Sequence, residues 1–414
     1  MKTKAVRLYG KSDLRLEEFE LPPFREDEIL AKVVTDGICM STHKAALQGA
    51  DHKRVPADIA HNPIITGHEF GGEILEVGAK WKGVYEPGQK FAVQTALNYK
   101  GSLDAPGYSY RNIGSNATYI IIPNEVMELG CLIPYNGDAF FYASLSEPMC
   151  CIIGAFHANY HTTAGSYEHR MGIEQGGNTA ILAGGGPMGL GAVDYAIHCD
   201  RKSGMVVVTD IDGSKLRRAA QITTVEEAAR NGVDLVYLNS TCAGELIGLT
   251  GGRGYDDVFV FSPVAAVVEL GDSILGRDGC LNFFAGPADP SFSARLNFYN
   301  VHYASSHIVG TSGGNASDMI EALSLMEKGL IDPAAMITHV GGLDCVIDTT
   351  LNLDKLRGGK KLIYTHISMP LTALEDLGTL DGPVFEGLAE IIKGNNGLWC
   401  AEAEKHLLAA YSAL

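Results

Sequence analysis

The sequence predicts an α/β protein with two kinds of domain, a β-rich one and one built on a doubly wound parallel sheet. Three observations carry that prediction. Short β-rich runs divided by glycine and proline fill the first third of the chain. From about residue 178, continuous apolar runs alternate with helical stretches. A glycine-rich turn joins the first of those runs to a helix. Many short strands with Gly and Pro between them suggest a small antiparallel barrel. Unbroken apolar strands interleaved with helices are the pattern of a parallel sheet covered on both faces.

Taken in order, β-rich runs at 5–9, 29–35, 71–77, 90–95 and 117–123 build the first domain, with Pro22-Pro23 and charged turns between the first two. The parallel sheet is read from runs at 179–182, 205–209, 235–238, 258–261, 280–285 and 307–310. Helices are expected among them at 189–199, 214–221 and 225–231. Residues 316–328 then read as a helix, and 336–340 and 360–364 as strands. An amphipathic helix follows at 384–393, with Pro383 at its first turn and Gly394-Asn-Asn-Gly397 stopping it, and a second helix at 400–411. The expected division is 1–157 for the β-rich domain, 158–311 for the parallel sheet, and 312–414 for a return to the first domain plus a helical tail.

With 414 residues the chain has room for two or three domains. It is 46% hydrophobic and 20% charged, which argues against disorder. A net charge of −17 repels phosphate backbones, so nucleic acid is not an expected partner. No uncharged apolar run reaches the roughly 18 residues of a membrane span; the nearest, 179–193, is broken by three consecutive glycines. The start, Met1-Lys-Thr-Lys, lacks the apolar core of a secretory signal. Nine cysteines, an odd number with no Cys-x-x-Cys pair, read as reduced thiols of a cytoplasmic protein.

The glycine-rich turn runs Thr179-Ala-Ile-Leu-Ala-Gly184-Gly-Gly186-Pro187-Met188-Gly189. In such a turn the first glycine allows a tight bend, the second lets a pyrophosphate approach the backbone, and the third lets helix and strand pack closely. The helix that opens at Pro187-Met188 turns its N-terminal amides toward the anion. Twenty-one residues beyond Gly189, the next apolar run ends in Asp210. A carboxylate there accepts from a ribose 2′-hydroxyl and repels a 2′-phosphate, which favours NAD(H) while leaving NADP(H) open. Lys215 either lies over the adenosine ribose or is a solvated helix lysine.

A second constellation begins at Asp36-Gly-Ile-Cys39-Met-Ser41-Thr-His43-Lys44. Twenty-nine residues after Cys39 comes His68-Glu69, and far downstream Ser144-Leu-Ser-Glu147-Pro148. A thiolate, an imidazole and a carboxylate make a mixed set suited to zinc, with a fourth position left for water or substrate. On a regular strand His68 and Glu69 would face opposite sides. Either the chain turns there and both bind, or one binds and the other supports it. Glu147 would then supply or exchange the remaining oxygen ligand. The Glu147-Pro148 pair also fits the first turn of a helix.

Cys-x-Ser after the first strands, Gly-His-Glu-Phe-x-Gly, Glu-Pro and then the glycine turn resemble the zinc-dependent medium-chain dehydrogenase/reductase family over roughly residues 1–365. The stretches Gly154-Ala-Phe-His-Ala-Asn-Tyr-His161, Gly185 to Tyr195 and Leu398-Trp-Cys-Ala-Glu-Ala-Glu-Lys405 are most similar to its branch of L-sorbose-1-phosphate reductases. The resemblance implies a GroES-like catalytic domain, a Rossmann domain and one catalytic zinc in the cleft between them. It implies Cys39, His68, Glu69 and Glu147 as ligands, with Glu69 counted among the catalytic groups as well, and Ser41 in the proton relay. Many relatives have His five residues after the ligand cysteine; here that place holds Lys44 with His43 beside it, so either side chain carries the relay. Many also hold a structural zinc on four cysteines, but residues 95–115 contain none, so no second zinc is expected. The implied reaction is hydride transfer between NAD(H) and a ketose or polyol, with zinc as Lewis acid. A homodimer or homotetramer is expected.

A phosphate on that substrate would need a local basic patch in so acidic a chain. His52, Lys53 and Arg54, in the segment between Cys39 and His68, are candidates, as are Arg111 and Arg295; solvated surface cations are the plain alternative. Many polyol dehydrogenases of the family carry an Arg-Tyr pair where this chain has Thr311-Ser312-Gly-Gly-Asn315. Those glycines either expose amides to an anion or form a helix-capping turn. An unphosphorylated polyol or another secondary alcohol stays open as the substrate.

Overall fold

The computed structural model describes residues 1–412. The chain forms two compact units. One comprises Met1–Glu147, Met319–Glu327 and the chain from Ile337 onward; the other comprises Pro148–Asp318 and Lys328–Met336.

The main sheet of the first unit has the strand order Thr372–Ala373, Ile337–Gly342, Lys360–Tyr364, Ile29–Ile38, Phe70–Val77, Lys90–Val93, Leu132–Tyr135, and Tyr119–Ile122 also pairs with Ile29–Ile38. Its pairs are antiparallel except Ile337–Gly342 with Lys360–Tyr364. The strand Ile29–Ile38 is the organising element. It is hydrogen-bonded along both edges and buried throughout except at Lys32, which suits its Val, Ile, Leu and Ala residues and leaves Thr35 and Asp36 buried as well. It pairs with Phe70–Val77 from Ile29 to Asp36, with Tyr119–Ile122 over Ile29–Lys32, and with Lys360–Tyr364 over Thr35–Ile38, Lys361 opposite Ile38. The residue that follows, Cys39, is therefore delivered from a strand held on both sides.

The second unit contains a six-stranded parallel sheet in the order Asp234–Leu238, Met205–Thr209, Asn178–Leu182, Tyr255–Val260, Leu275–Phe283, His307–Val309. All six predicted runs fall on these strands. The helices Pro187–His198, Gly213–Ile222 and Val225–Arg230 match the stretches read from sequence. Pro187 opens the first, where a missing N–H costs nothing, and Asp212 caps the second by accepting from the amides of Ser214 and Lys215. The glycine turn departs in one detail. Its left-handed residue is Ala183, at φ +57°, and not Gly184.

Of the helix Phe140–Ala158 the sequence reading offers only a first turn at Glu147-Pro148. The helix is apolar on almost every side, so no polar face marks the 3.6-residue period. Glu147-Pro148 lies in its interior and not at its start. The turn before the helix Ala316–Glu327 is a capping arrangement: the Asp318 amide donates to Asn315 Oδ1 at 3.0 Å and the Asn315 amide donates to Asp318 Oδ2 at 2.9 Å. The Asn315 amide therefore already faces a carboxylate. The tail helices are Pro383–Gly394 and Ala401–Ser412, with Trp399 fully buried just before the second.

Candidate active site

Cys39 stands at the junction between the strand Ile29–Ile38 and the helix Met40–Gln48, as that helix's N-cap residue. The first turn of the helix presents Ser41 and Thr42. Before His68, Gly67 bends the chain at φ +86°, and a Cβ there would meet Ser115 Oγ and the Asn116 amide nitrogen at 2.5 and 2.8 Å. Because residues 66–69 are not strand, His68 and Glu69 do not alternate. The Cys39 Sγ, a His68 ring nitrogen and a Glu69 carboxylate oxygen all lie within 4.8 Å of one another. Gly37 gives the carboxylate its room, since a Cβ there would collide with Glu69 Oε2.

His68 is surrounded by hydroxyls. Ser41 Oγ lies 3.1 Å from Nε2 and donates to Cys39 Sγ at 3.1 Å; Thr42 Oγ1 and Tyr108 OH lie 3.1 and 3.2 Å from Nδ1. Asp36, buried behind them, accepts from Ser115 Oγ and from Asn116 Nδ2, the latter at 2.6 Å. Burial alone would raise the Cys39 thiol, but the Lys360 ammonium, His68 and Ser41 hold it well below its ordinary value. Burial raises the Glu69 carboxyl well above its ordinary value, reinforced by Cys39 and Glu147 and opposed by Lys360. Glu69 Oε1 pairs with the buried Lys360 Nζ, while Oε2 is buried and without a partner. Cys39, Glu69 and Glu147 against one ammonium leave a surplus of two negative charges when ionised, which is what a divalent cation neutralises. The convergent soft and hard donors and the orphaned oxygen fit zinc.

In the second unit, the third glycine of the turn is required by close approach: a Cβ on Gly189 would run into the backbone of Gly184. The space beside Gly186 is open, with nothing within 4 Å of where a Cβ would stand. Asp210 ends the strand Met205–Thr209, and its Oδ2 accepts from the Gly185 amide at 3.0 Å, bracing the turn. An open face over backbone at a helix N-terminus suits a pyrophosphate.

Residues 25–130 match the alcohol dehydrogenase GroES-like domain, and residues 187–328 match the zinc-binding dehydrogenase family. The mannitol-1-phosphate 5-dehydrogenase of Aliivibrio fischeri is 50% identical over 99% of this chain and 98% of its own. The L-sorbose 1-phosphate reductase of Klebsiella pneumoniae is 50% identical over 98% of this chain and 97% of its own. The chain belongs to the zinc-dependent medium-chain dehydrogenase family. A zinc-binding dehydrogenase of Sinorhizobium meliloti, solved with NADP bound, shares the fold at a TM-score of 0.70 and 19% identity, over 88% of this chain and 99% of that one.

In this dehydrogenase the remaining candidate residues are distributed unevenly. Glu147 projects from the helix Phe140–Ala158 within electrostatic reach of His68, Glu69 and Lys360, but outside the tight group of three donors. His43 is buried and donates from Nδ1 to the Thr350 carbonyl at 2.7 Å, while Lys44 is half-buried beside it. Lys215 lies on the first turn of the helix Gly213–Ile222, its Cβ near Gly185. His52 and Arg54 pack on Tyr108, whereas Lys53 and Arg111 are exposed. Arg295 is 92% exposed and pairs with Glu269 in the other unit. Sequence reasoning missed Lys360, Thr42 and Tyr108. The one signal for Lys360 was a lysine pair opening an otherwise apolar strand.

Proposed function

We propose that this dehydrogenase interconverts a ketose phosphate and the corresponding polyol phosphate by NAD(H)-linked hydride transfer. The observation that carries the reading is the convergence of Cys39, His68 and Glu69 with an unpartnered Glu69 oxygen, in a chain half identical to two enzymes named for sugar phosphates. Cys39, His68 and Glu69, with Glu147 within electrostatic reach, would hold a zinc ion, which when bound would supply Lewis acidity to a substrate carbonyl. Ser41, hydrogen-bonded to Cys39 and His68, passes a proton to the developing alcohol oxygen in this reading. His43 donates from Nδ1 to the Thr350 carbonyl, which leaves Nε2 to take a proton from Ser41 when the alcohol is oxidised and, once protonated, to return it when the ketone is reduced; Lys44 is the other route. The turn from Gly184 to Gly189 holds the pyrophosphate, and Asp210 takes the ribose hydroxyls, which favours NAD(H).

The reading includes a single zinc per chain, a homo-oligomer and a cytoplasmic location. Among the described residues none of the nine cysteines forms a disulfide, as suits a reducing compartment. The test is a steady-state comparison of ketose phosphates and free ketoses with NADH and NADPH, together with metal analysis. The expected result is one zinc per chain and a kcat/KM for the ester at least about 100-fold that of the free sugar. Equal values would leave the unphosphorylated polyol or secondary alcohol as the substrate. Two tightly held zinc ions would overturn the single-ion reading.

A further inference from the structure

We infer that Arg54, seated on the face of Tyr108, is the group that binds the substrate's phosphate. The inference rests on the ketose-phosphate reading above and names the residue that enforces it.

Arg54 is an anomaly of charge. In a chain of net charge −17 its half-buried guanidinium has no carboxylate at ion-pair distance among the described residues, and its Nε is buried without a hydrogen-bond partner. Leaving a buried cationic donor unmatched costs free energy that an incoming anion restores. The guanidinium carbon lies 5.5 Å from the centroid of Tyr108, and His52 stacks on the same ring at 5.6 Å and 15°. The main chain fixes this turn: the Arg54 carbonyl accepts from Ser109 Oγ at 2.7 Å, and the Arg54 amide donates to His52 Nδ1 at 3.3 Å.

Tyr108 connects this cation to the donor cluster. Its ring lies 5.0 Å from that of His68, and its hydroxyl reaches the His68 nitrogens at 3.2 and 3.4 Å. One aromatic ring thus lies against both the guanidinium and a metal-ligand candidate, which sets a phosphate held by Arg54 beside the donor cluster. A planar guanidinium grips a phosphate with two parallel hydrogen bonds, which a lysine cannot copy. Burial holds His52 below its ordinary pKa, with Arg54 and Lys53 adding to the effect, so the imidazole is neutral at pH 7 and leaves the binding charge to Arg54.

The experiment measures kcat/KM for a ketose 1-phosphate and for the free ketose with NADH, in wild type, Arg54→Met and Arg54→Lys. In parallel, protection of the zinc-loaded protein by inorganic phosphate is followed as a rise in Tm. The ester-to-sugar ratio should fall about 100-fold in Arg54→Met and be partly recovered in Arg54→Lys. The stabilisation by inorganic phosphate should disappear in Arg54→Met. If wild type prefers the ester and Arg54→Met keeps both that preference and the response to phosphate, the assignment to Arg54 is overturned while the substrate reading stands. If wild type itself shows no preference for the ester, the substrate reading fails and the assignment falls with it.

Discussion

Lys360 and Glu69 form a buried ion pair across 291 residues of sequence. Removing one partner of such a pair leaves an uncompensated charge and costs about 3–5 kcal/mol. A bound zinc ion would take over part of the neutralisation of Glu69. Lys360→Met is therefore expected to lower the Tm of metal-depleted protein more than that of zinc-loaded protein, and an equal drop in both forms would contradict the shared role. The ligand trio gives the sharper outcome. Cys39→Ser or His68→Ala should abolish turnover and lose the metal, while NADH binding followed by fluorescence titration stays largely intact. Near-normal turnover by a metal-depleted His68→Ala protein would sink the metal mechanism. At this scale Cys39, His68 and Glu69 were legible because the types and order of residues imply the chemistry. Lys360, Thr42 and Tyr108 were not, because each is an ordinary residue until the fold places it beside His68 or Glu69.

Among the elements, the apolar helix Phe140–Ala158 is tied down by the tail. Glu404, buried in the helix Ala401–Ser412, accepts from the amides of Phe140 at 2.5 Å and Phe141 at 2.9 Å and from Tyr364 OH at 3.0 Å. Trp399 Nε1 donates to the same tyrosine oxygen at 2.9 Å. One tail carboxylate thus joins the first turn of the Glu147 helix to the strand that begins with Lys360. Burial pushes the Glu404 carboxyl from 4.5 up to about 7, against the pull of these donors and of Lys90. A carboxyl raised in the folded state gives stability that is complete below its unfolded value and is lost as pH rises through the folded one. The stability advantage of wild type over Glu404→Gln should therefore shrink by roughly 3 kcal/mol between pH 4.5 and about pH 8, read from urea unfolding. A constant difference across that window would show that the carboxyl is already ionised throughout. The sequence located both tail helices, the first by its amphipathic pattern between Pro383 and Gly394. It missed the helix they brace, because a segment buried on nearly all sides carries no amphipathic signal.

Over the whole molecule, the donor cluster and the nucleotide turn belong to different compact units. Chelation should accordingly abolish turnover and lower the Tm, while the NADH dissociation constant changes by less than about threefold. A dissociation constant raised far beyond that on metal removal would show that the ion organises the nucleotide turn. The sequence by itself determined the two architectures, the order of the parallel-sheet elements along the chain and the chemical character of the metal set. Those features are written locally, in hydrophobic period, glycine spacing and residue type. Only the tertiary structure decided that His68 and Glu69 point to one place, that Lys360 pairs with Glu69, and that Arg54 alone among five candidate groups is a half-buried cation on Tyr108 with no carboxylate partner. These are matters of which distant side chains share a small volume of low dielectric, and no local pattern of residues encodes that.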